Sequence, residues 1–219
     1  MTGFAIRSMQ PSDVNAVVTV HLESFPGFFL TFLGPRFLRL LYSELLKTPE
    51  HVAFVAQDSS GTIVGFVAGV SHQSSFYAHL ARQRWFGFAA ASLEAIARRP
   101  TIIPRLFRAL SYPKGSQAAV AQALMMSIAV APGISGHGVG QRLATHFLMT
   151  IKQKNIASVS LTTDRDANER VNRFYQRLGF QIARTYVTPE GRWMNEYIID
   201  LSTWSPPSSE NLGKSRGAS

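Results

Sequence analysis

The chain has 219 residues, 46% hydrophobic and only 16% charged, enough apolar surface for a packed core, which excludes a wholly disordered chain or a coiled coil. Twenty-two basic residues against 13 acidic ones leave a net charge of +9, which points to an anionic partner. The absence of cysteine excludes disulfides, zinc–thiolate sites, iron–sulfur clusters and thiol nucleophiles.

In chain order, residues 4–9 read as an opening strand. Pro11-Ser12-Asp13 is helix-start chemistry with Ser12 as N-cap, and a helix follows to Glu23. Phe25-Pro26-Gly27 breaks it. A second helix is expected over residues 35–46, where Phe37, Leu38, Leu41 and Leu45 recur at helical spacing. Residues 51–57 and 62–70 form a β-hairpin around Asp58-Ser59-Ser60-Gly61. Residues 73–119 read as two helices, over 76–98 and 102–111, separated at Pro100. Residues 121–130 are an apolar strand, 132–138 a glycine-rich loop, and a helix follows to Lys154. Then come a strand over 158–163, a helix over 167–178 closed by Gly179, and a hairpin of 181–187 with 194–201. The polar residues 202–219 bury too little apolar surface to order themselves. Residues 1–12 lack a basic segment followed by an apolar run, and no window reaches about 18 uninterrupted apolar residues. The expectation is a cytoplasmic protein with no signal peptide and no membrane span. The order of elements predicts an α+β fold of layered type, a sheet flanked by helices.

Ser135-Gly136-His137-Gly138-Val139-Gly140 lies between a strand and a helix. Free N–H groups and the positive dipole end at a helix start make an anion site, and glycines admit a phosphate close to the backbone. The same glycines could instead serve turns that need positive φ. A dinucleotide fingerprint starting at Gly136 needs glycine where Gln141 stands, and a P-loop starting at Gly133 needs lysine where Val139 stands. Further on, Asn168, Asn172 and Tyr175 fall on one narrow helical stripe beside an apolar stripe of Val171, Phe174 and Leu178. Tyr175 thus sits at the edge of the buried face, as a boundary tyrosine or as a placed phenol.

The strand over 124–130, Pro132, the glycine loop, and Asn168-Glu169-Arg170-Val171-Asn172-Arg173-Phe174-Tyr175 ending in Leu178-Gly179-Phe180 together resemble the GNAT superfamily of acyl-CoA-dependent N-acetyltransferases. The resemblance covers residues 4–201 in element order and is specific over 124–180. It implies a mixed, mostly antiparallel central sheet in a domain over 1–201, with a disordered tail over 202–219. It implies acetyl-CoA as acyl donor and no metal. Backbone groups of Ile128, Ala129 and Val130 would pair with the pantetheine arm. N–H groups of Ser135, Gly136, His137, Gly138, Val139 and Gly140 would hold the pyrophosphate. Asn168 would contact the cofactor arm, and Tyr175 would stand near the sulfur as the acid for the leaving thiolate. Three positions depart from the family. Ser135 stands where Arg or Gln is usual, with Arg142 as substitute cation. Val171 stands where Ala is common. Thr163 replaces a Glu often found in members that acetylate protein amino termini, which puts that acceptor in doubt.

Attack of an amine on a thioester needs a proton acceptor, and no carboxylate lies on the strand over 124–130. Glu23 is the leading base, with His21 and His72 behind it and a water relay as an equal alternative. Family hairpins at the third and fourth strands are short, so residues 73–119 are a helical insertion. It carries Arg82, Arg84, Arg98, Arg99, Arg105, Arg108 and Lys114 against Glu94, interleaved with aromatics. It reads either as packing with a basic edge or as a platform for an anionic or lipid-linked acceptor, with peripheral contact at the inner membrane face. The expected function is N-acetylation of a small-molecule primary amine, with an amino sugar on a nucleotide or lipid phosphate as the favoured acceptor. The alternative is a non-catalytic acyl-CoA-binding regulatory module. No nucleic-acid motif is present, so nucleic acid is not the expected partner.

Overall fold

A computed structural model describes residues 3–73, 88, 121–134 and 136–206. Its elements are β1 (Phe4–Ser8), α1 (Val14–Ser24), α2 (Phe29–Lys47), β2 (His51–Asp58), β3 (Ile63–Val70), β4 (Ala123–Val130), α3 (Val139–Gln153), β5 (Ser158–Asp164), α4 (Glu169–Arg177), β6 (Gln181–Val187) and β7 (Trp193–Asp200). The strands form one sheet in the order β1-β2-β3-β4-β5-β7-β6. Every neighbouring pair is antiparallel except β4 with β5, which is parallel. This is the mixed, mostly antiparallel sheet that the family resemblance implied.

Helices cover both faces. On one, α1 and α2 bury Val17, Val18, Leu38 and Leu45 against Val55, Phe66 and Ala68. On the other, α3 buries Leu143, Phe147, Leu148 and Ile151 against Val67, Val159 and Leu161. All eight residues of β3 are buried, as a strand covered on both faces requires. Gly69 in that strand has no room for a side chain: a Cβ would stand 2.2 Å from the Leu124 carbonyl and 2.8 Å from the Phe147 ring. A bulge follows there, because Ala68 pairs with Ser127 and Gly69 with Met125, leaving Met126 unpaired.

Several local expectations are corrected. Ser12 does not cap α1. Instead, a 3-10 turn over Pro11–Asp13 leads into the helix, and the Asp13 carboxylate accepts from the Gln10 N–H and from Arg7. The helix expected from 35 is present, and a short helical stretch from Phe29 precedes it, the two separated at Gly34, whose φ of 88° suits glycine and precedes the helix-starting Pro35. The chain is also packed beyond Leu201. Trp204 is buried, its indole N–H donates to the Leu178 carbonyl at 2.9 Å, and Lys152 Nζ donates to its carbonyl. The helices expected within 73–119 lie outside the described residues except at Phe88, which is buried with its ring 5.1 Å from Phe37. Among the described residues no helix is long and apolar enough to cross a membrane.

Candidate active site

The sheet splits at one place. β4 and β5 pair only through Ala123 with Val159 and Leu124 with Ser160. Beyond that, β4 stays with β3 as far as Val130, and β5 stays with β7 as far as Asp164. A cleft therefore opens between residues 125–130 and 161–164. The Ala131 N–H donates to the Val64 carbonyl at 2.9 Å. Antiparallel alternation then turns the Ala129 backbone toward β3, in keeping with its carbonyl lying 3.0 Å from where a Gly65 Cβ would stand. By the same alternation the backbone groups of Ile128 and Val130 face the cleft. Of the three residues the sequence singled out on this strand, two are turned to the opening and Ala129 is committed to the ladder.

The glycine loop closes the end of this cleft. After a 3-10 turn over Pro132–Ile134, Gly136 and Gly138 take φ of 91° and 76°, so both demand glycine. The first helical bond runs from the Arg142 N–H to the Gly138 carbonyl. The N–H groups of Val139, Gly140 and Gln141 precede it and have no acceptor within α3, which leaves the positive helix end open to an anion. Gly140 is helical, and a Cβ there would meet Val130 and Phe174 at ordinary contact distances of 3.6 and 3.8 Å. Loop, β4 and α4 thus converge on one point. His137 Nδ1 donates to the Ile134 carbonyl at 3.1 Å, which sets its tautomer. The Arg142 guanidinium stacks 4.4 Å over the Phe4 ring. Ser135 lies outside the described residues.

Across the cleft, two asparagines shape the turn from β5 into α4. Asn168 Nδ2 donates to Thr163 Oγ1 and to the Asp164 carbonyl, both at 2.9 Å. Asn172 Nδ2 donates to the carbonyls of Asp164, Arg165 and Asn168, while its Oδ1 accepts from the Tyr197 hydroxyl at 2.9 Å. Tyr175 is buried among Phe174, Phe180 and Tyr197. No hydrogen bond to its hydroxyl forms among the described residues. Burial pushes the phenol well above the usual tyrosine range, so it keeps its proton and can donate it.

The expected bases fall in different places. Glu23 is exposed, off the buried stripe of α1 formed by Val14, Val17, Val18 and His21. It precedes Ser24, whose hydroxyl donates to the Val130 carbonyl at the end of β4. His72 is exposed beyond β3, at the end of the sheet where Gln73 meets Gln122, away from the glycine loop. His21 is 3% exposed, and its Nδ1 lies 2.7 Å from the Tyr42 hydroxyl. Burial pushes its pKa down to about 4, so it is neutral at pH 7 and a weak base. The sequence pattern did not single out Tyr42, the partner of His21.

The α1–α2 junction meets the β6–β7 turn at the rim. Arg192 lies over the Phe28 ring at 5.3 Å and pairs with Asp164, and Arg165 lies over the Trp193 ring at 4.1 Å and pairs with Asp166. A cavity of about 660 Å³ opens elsewhere, beside Ser158, Gly179, Asp200 and Trp204, at the opposite end of β5 from Asp164. Among the described residues no three His, Asp or Glu side chains gather as metal ligands.

The comparisons agree with this geometry. None of the curated protein sequences matches the chain. The solved structure of SsHAT is 21% identical and superposes with a TM-score of 0.63, covering 91% of this chain and 98% of that one. The ribosomal-protein-S18-alanine N-acetyltransferase from Escherichia coli is 14% identical, with a TM-score of 0.57 and coverage of 94% and 99%. A spermidine/spermine N-acetyltransferase from Vibrio cholerae is 13% identical, with a TM-score of 0.55 and coverage of 91% and 94%. These likenesses establish the fold. The model of the acetyltransferase (GNAT) family matches residues 15–180, which hold the split sheet, the glycine loop and the Asn168–Tyr175 helix face. The chain therefore belongs to the GNAT family, whose members move the acetyl group of acetyl-CoA to an amine.

Proposed function

We propose that this acetyltransferase acts on the primary amine of a small molecule whose other groups are neutral or anionic, such as an amino sugar on a nucleotide or lipid phosphate. Acetyl-CoA supplies the acetyl group as an activated thioester. In this reading, the N–H groups from Gly136 to Gly140 bind the pyrophosphate, the Ile128 and Val130 backbone orients the pantetheine arm, and Asn168 flanks it. Tyr175 Oη holds the proton that the departing thiolate needs. The water-poor aromatic surroundings of Tyr175 keep that proton in place at neutral pH.

One observation carries the choice of acceptor. At the rim, Asp164 and Asp166 are both neutralised by arginines, and those arginines lie over exposed Phe28 and Trp193. The two pairs cancel in charge, so neither Asp164 nor Asp166 is free to hold a polycation, which favours a neutral or anionic body. Residues 73–119 add seven basic residues against one acid. Near an anionic membrane each is worth about 1 kcal/mol, enough for reversible contact with a lipid-linked acceptor.

The test is acetyl-CoA turnover over glucosamine 6-phosphate, a nucleotide-linked amino sugar, spermidine and an alanine-terminated peptide. The phosphorylated amino sugars should exceed spermidine in kcat/KM by about 10-fold or more. Preference for spermidine would overturn the acceptor class, and binding of acetyl-CoA without any turnover would return the chain to a regulatory module. The variant Arg98→Glu/Arg99→Glu/Arg105→Glu should raise acceptor KM or abolish liposome binding while leaving acetyl-CoA affinity unchanged.

A further inference from the structure

The chain leaving α1 crosses the split between β4 and β5. Ser24, at the end of α1, donates to the Val130 carbonyl at the end of β4. Past the Pro26-Gly27 turn, the Phe28 ring lies 5.3 Å from the guanidinium of Arg192. Arg192 Nε and Nη2 donate to the two carboxylate oxygens of Asp164, the last residue of β5. Residues 24–28 therefore form a strap from one wall of the cleft to the other. The strap joins α1 to α2, which pack on one face of the sheet, whereas α3 behind the glycine loop and Tyr175 of α4 pack on the other. With acetyl-CoA at the glycine loop, the position proposed above on which this inference rests, the strap covers the face left for the acceptor.

The strap has hinges and a latch. Phe25-Pro26-Gly27-Phe28 is a turn closed by the Phe28 N–H on the Phe25 carbonyl at 3.3 Å, with Gly27 in third place at a φ of 81°. Gly34 ends the helical stretch that follows. A Cβ at either glycine would have no atom within 4 Å among the described residues, so the chain has free space at both ends of residues 28–33. Between these ends, Thr31 Oγ1 is buried without a hydrogen-bond partner among the described residues. That hydroxyl weighs against the closed arrangement, because water satisfies it once the stretch moves out. Arg192 holds the strap against this. Its two-pronged grip on Asp164 fixes the plane of the guanidinium, and the flat face takes the Phe28 ring. The β6–β7 turn fixes its backbone, with the Thr188 N–H donating to the Arg192 carbonyl at 2.8 Å.

We propose that Arg192 is a positioning residue for the acceptor, the latch that holds the strap over the cleft through Phe28. The amine enters when Phe28 leaves Arg192, and it is held facing the thioester when the contact re-forms. Asp164 acts one step further back, by orienting Arg192. Neither residue touches the reacting atoms, so the latch governs how well the amine is held and leaves the cofactor alone. The assignment concerns entry to the cleft and does not depend on the acceptor's other groups.

The test has two arms. Amide hydrogen exchange by NMR needs no substrate. In Arg192→Ala, the Phe28 and Phe32 amides, which bond within the strap and the stretch after it, should exchange about 10-fold faster or more, with the Ala131 amide unchanged. Thr31→Val should slow the same two amides. In the second arm, turnover is read with the best of glucosamine 6-phosphate, spermidine and an alanine-terminated peptide. Arg192→Ala should raise KM for that amine by about 10-fold, lower kcat less, and leave acetyl-CoA affinity by calorimetry unchanged. Arg192→Lys keeps a charge opposite Asp164 without the planar fork and should not restore KM. Phe28→Leu should match Arg192→Ala, and the double variant should be no worse than either. Unchanged exchange or unchanged KM in folded Arg192→Ala, or losses that multiply in the double variant, would overturn the latch. Should Arg192→Ala fail to fold, Phe28→Leu gives both readouts. A wild-type protein that binds no acetyl-CoA fails the cofactor reading instead, and calorimetry shows this before any variant is made.

Discussion

The Ser24 hydroxyl donates to the Val130 carbonyl across 3.1 Å, tying the last turn of α1 to the last residue of β4. That carbonyl belongs to the side of the strand that faces away from β3, where no sheet partner remains to hold it. The helix on one face of the sheet therefore fixes the strand end from which the glycine loop departs.

Ser24→Ala should cost about 1 kcal/mol, the usual net value of one such hydrogen bond. Urea unfolding at pH 7 measures it. An unchanged midpoint and slope would mean that the bond contributes nothing to fixing β4.

Tyr175→Phe should lower kcat by about 100-fold or more, because a positioned acid is lost. Its effect on stability should be small, since the hydroxyl has no partner among the described residues. The raised pKa adds a pH prediction: ionisation of Tyr175 should not cut activity near the ordinary tyrosine value of about 10. A folded phenylalanine variant turning over at the wild-type rate would leave Tyr175 as packing alone.

His21 makes stability fall with acid. Its pKa is about 4 in the folded chain, against 6.5 for the free side chain. Between those values the unfolded chain takes a proton at this position and the folded chain does not. Lowering the pH from 7 to 4 should therefore remove about 3 kcal/mol through this residue. His21→Gln should lose about that much less than wild type over the same range in urea unfolding. Equal losses in both proteins would contradict the buried, neutral imidazole.

Asn172 shares its two amide hydrogens among three carbonyls and accepts from the Tyr197 hydroxyl. Asn172→Ala should destabilise by about 2 kcal/mol, because the Tyr197 hydroxyl and the Arg165 carbonyl lose this partner while the Asp164 and Asn168 carbonyls keep the Asn168 side chain and the residue 172 N–H. Asn172→Asp should be no better, because a carboxylate would face the same three carbonyls. Thermal unfolding of the two variants checks the order.

What was legible in the sequence was local. The glycine loop and the Asn168–Tyr175 stripe rest on turn chemistry and helical spacing, which neighbouring residues carry between them. The split between β4 and β5 rests on pairings between residues more than thirty positions apart, and nothing in either strand marks where pairing stops. The contact of His21 with Tyr42 joins α1 and α2 in the same way. The burial of His21 is different, because α1 spacing already put it on the stripe of Val14, Val17 and Val18 and left Glu23 off it. Trp204 escaped because the end of the chain was judged on average polarity, and one indole found a groove beside Leu178.

The central claim is that acetyl-CoA binds where the glycine loop opens α3 beside the split in the sheet. Gly140→Asp tests it most directly. Gly138 and Gly136 hold positive φ, so a substitution there would strain the backbone, whereas Gly140 is helical and has room for a Cβ. A carboxylate in the first turn favours the helix dipole and so preserves the fold, while it repels a pyrophosphate arriving at the same N–H groups. Calorimetry should show acetyl-CoA affinity falling by at least about 10-fold with the melting temperature unchanged or raised. Wild-type affinity in the folded Gly140→Asp protein would contradict the account.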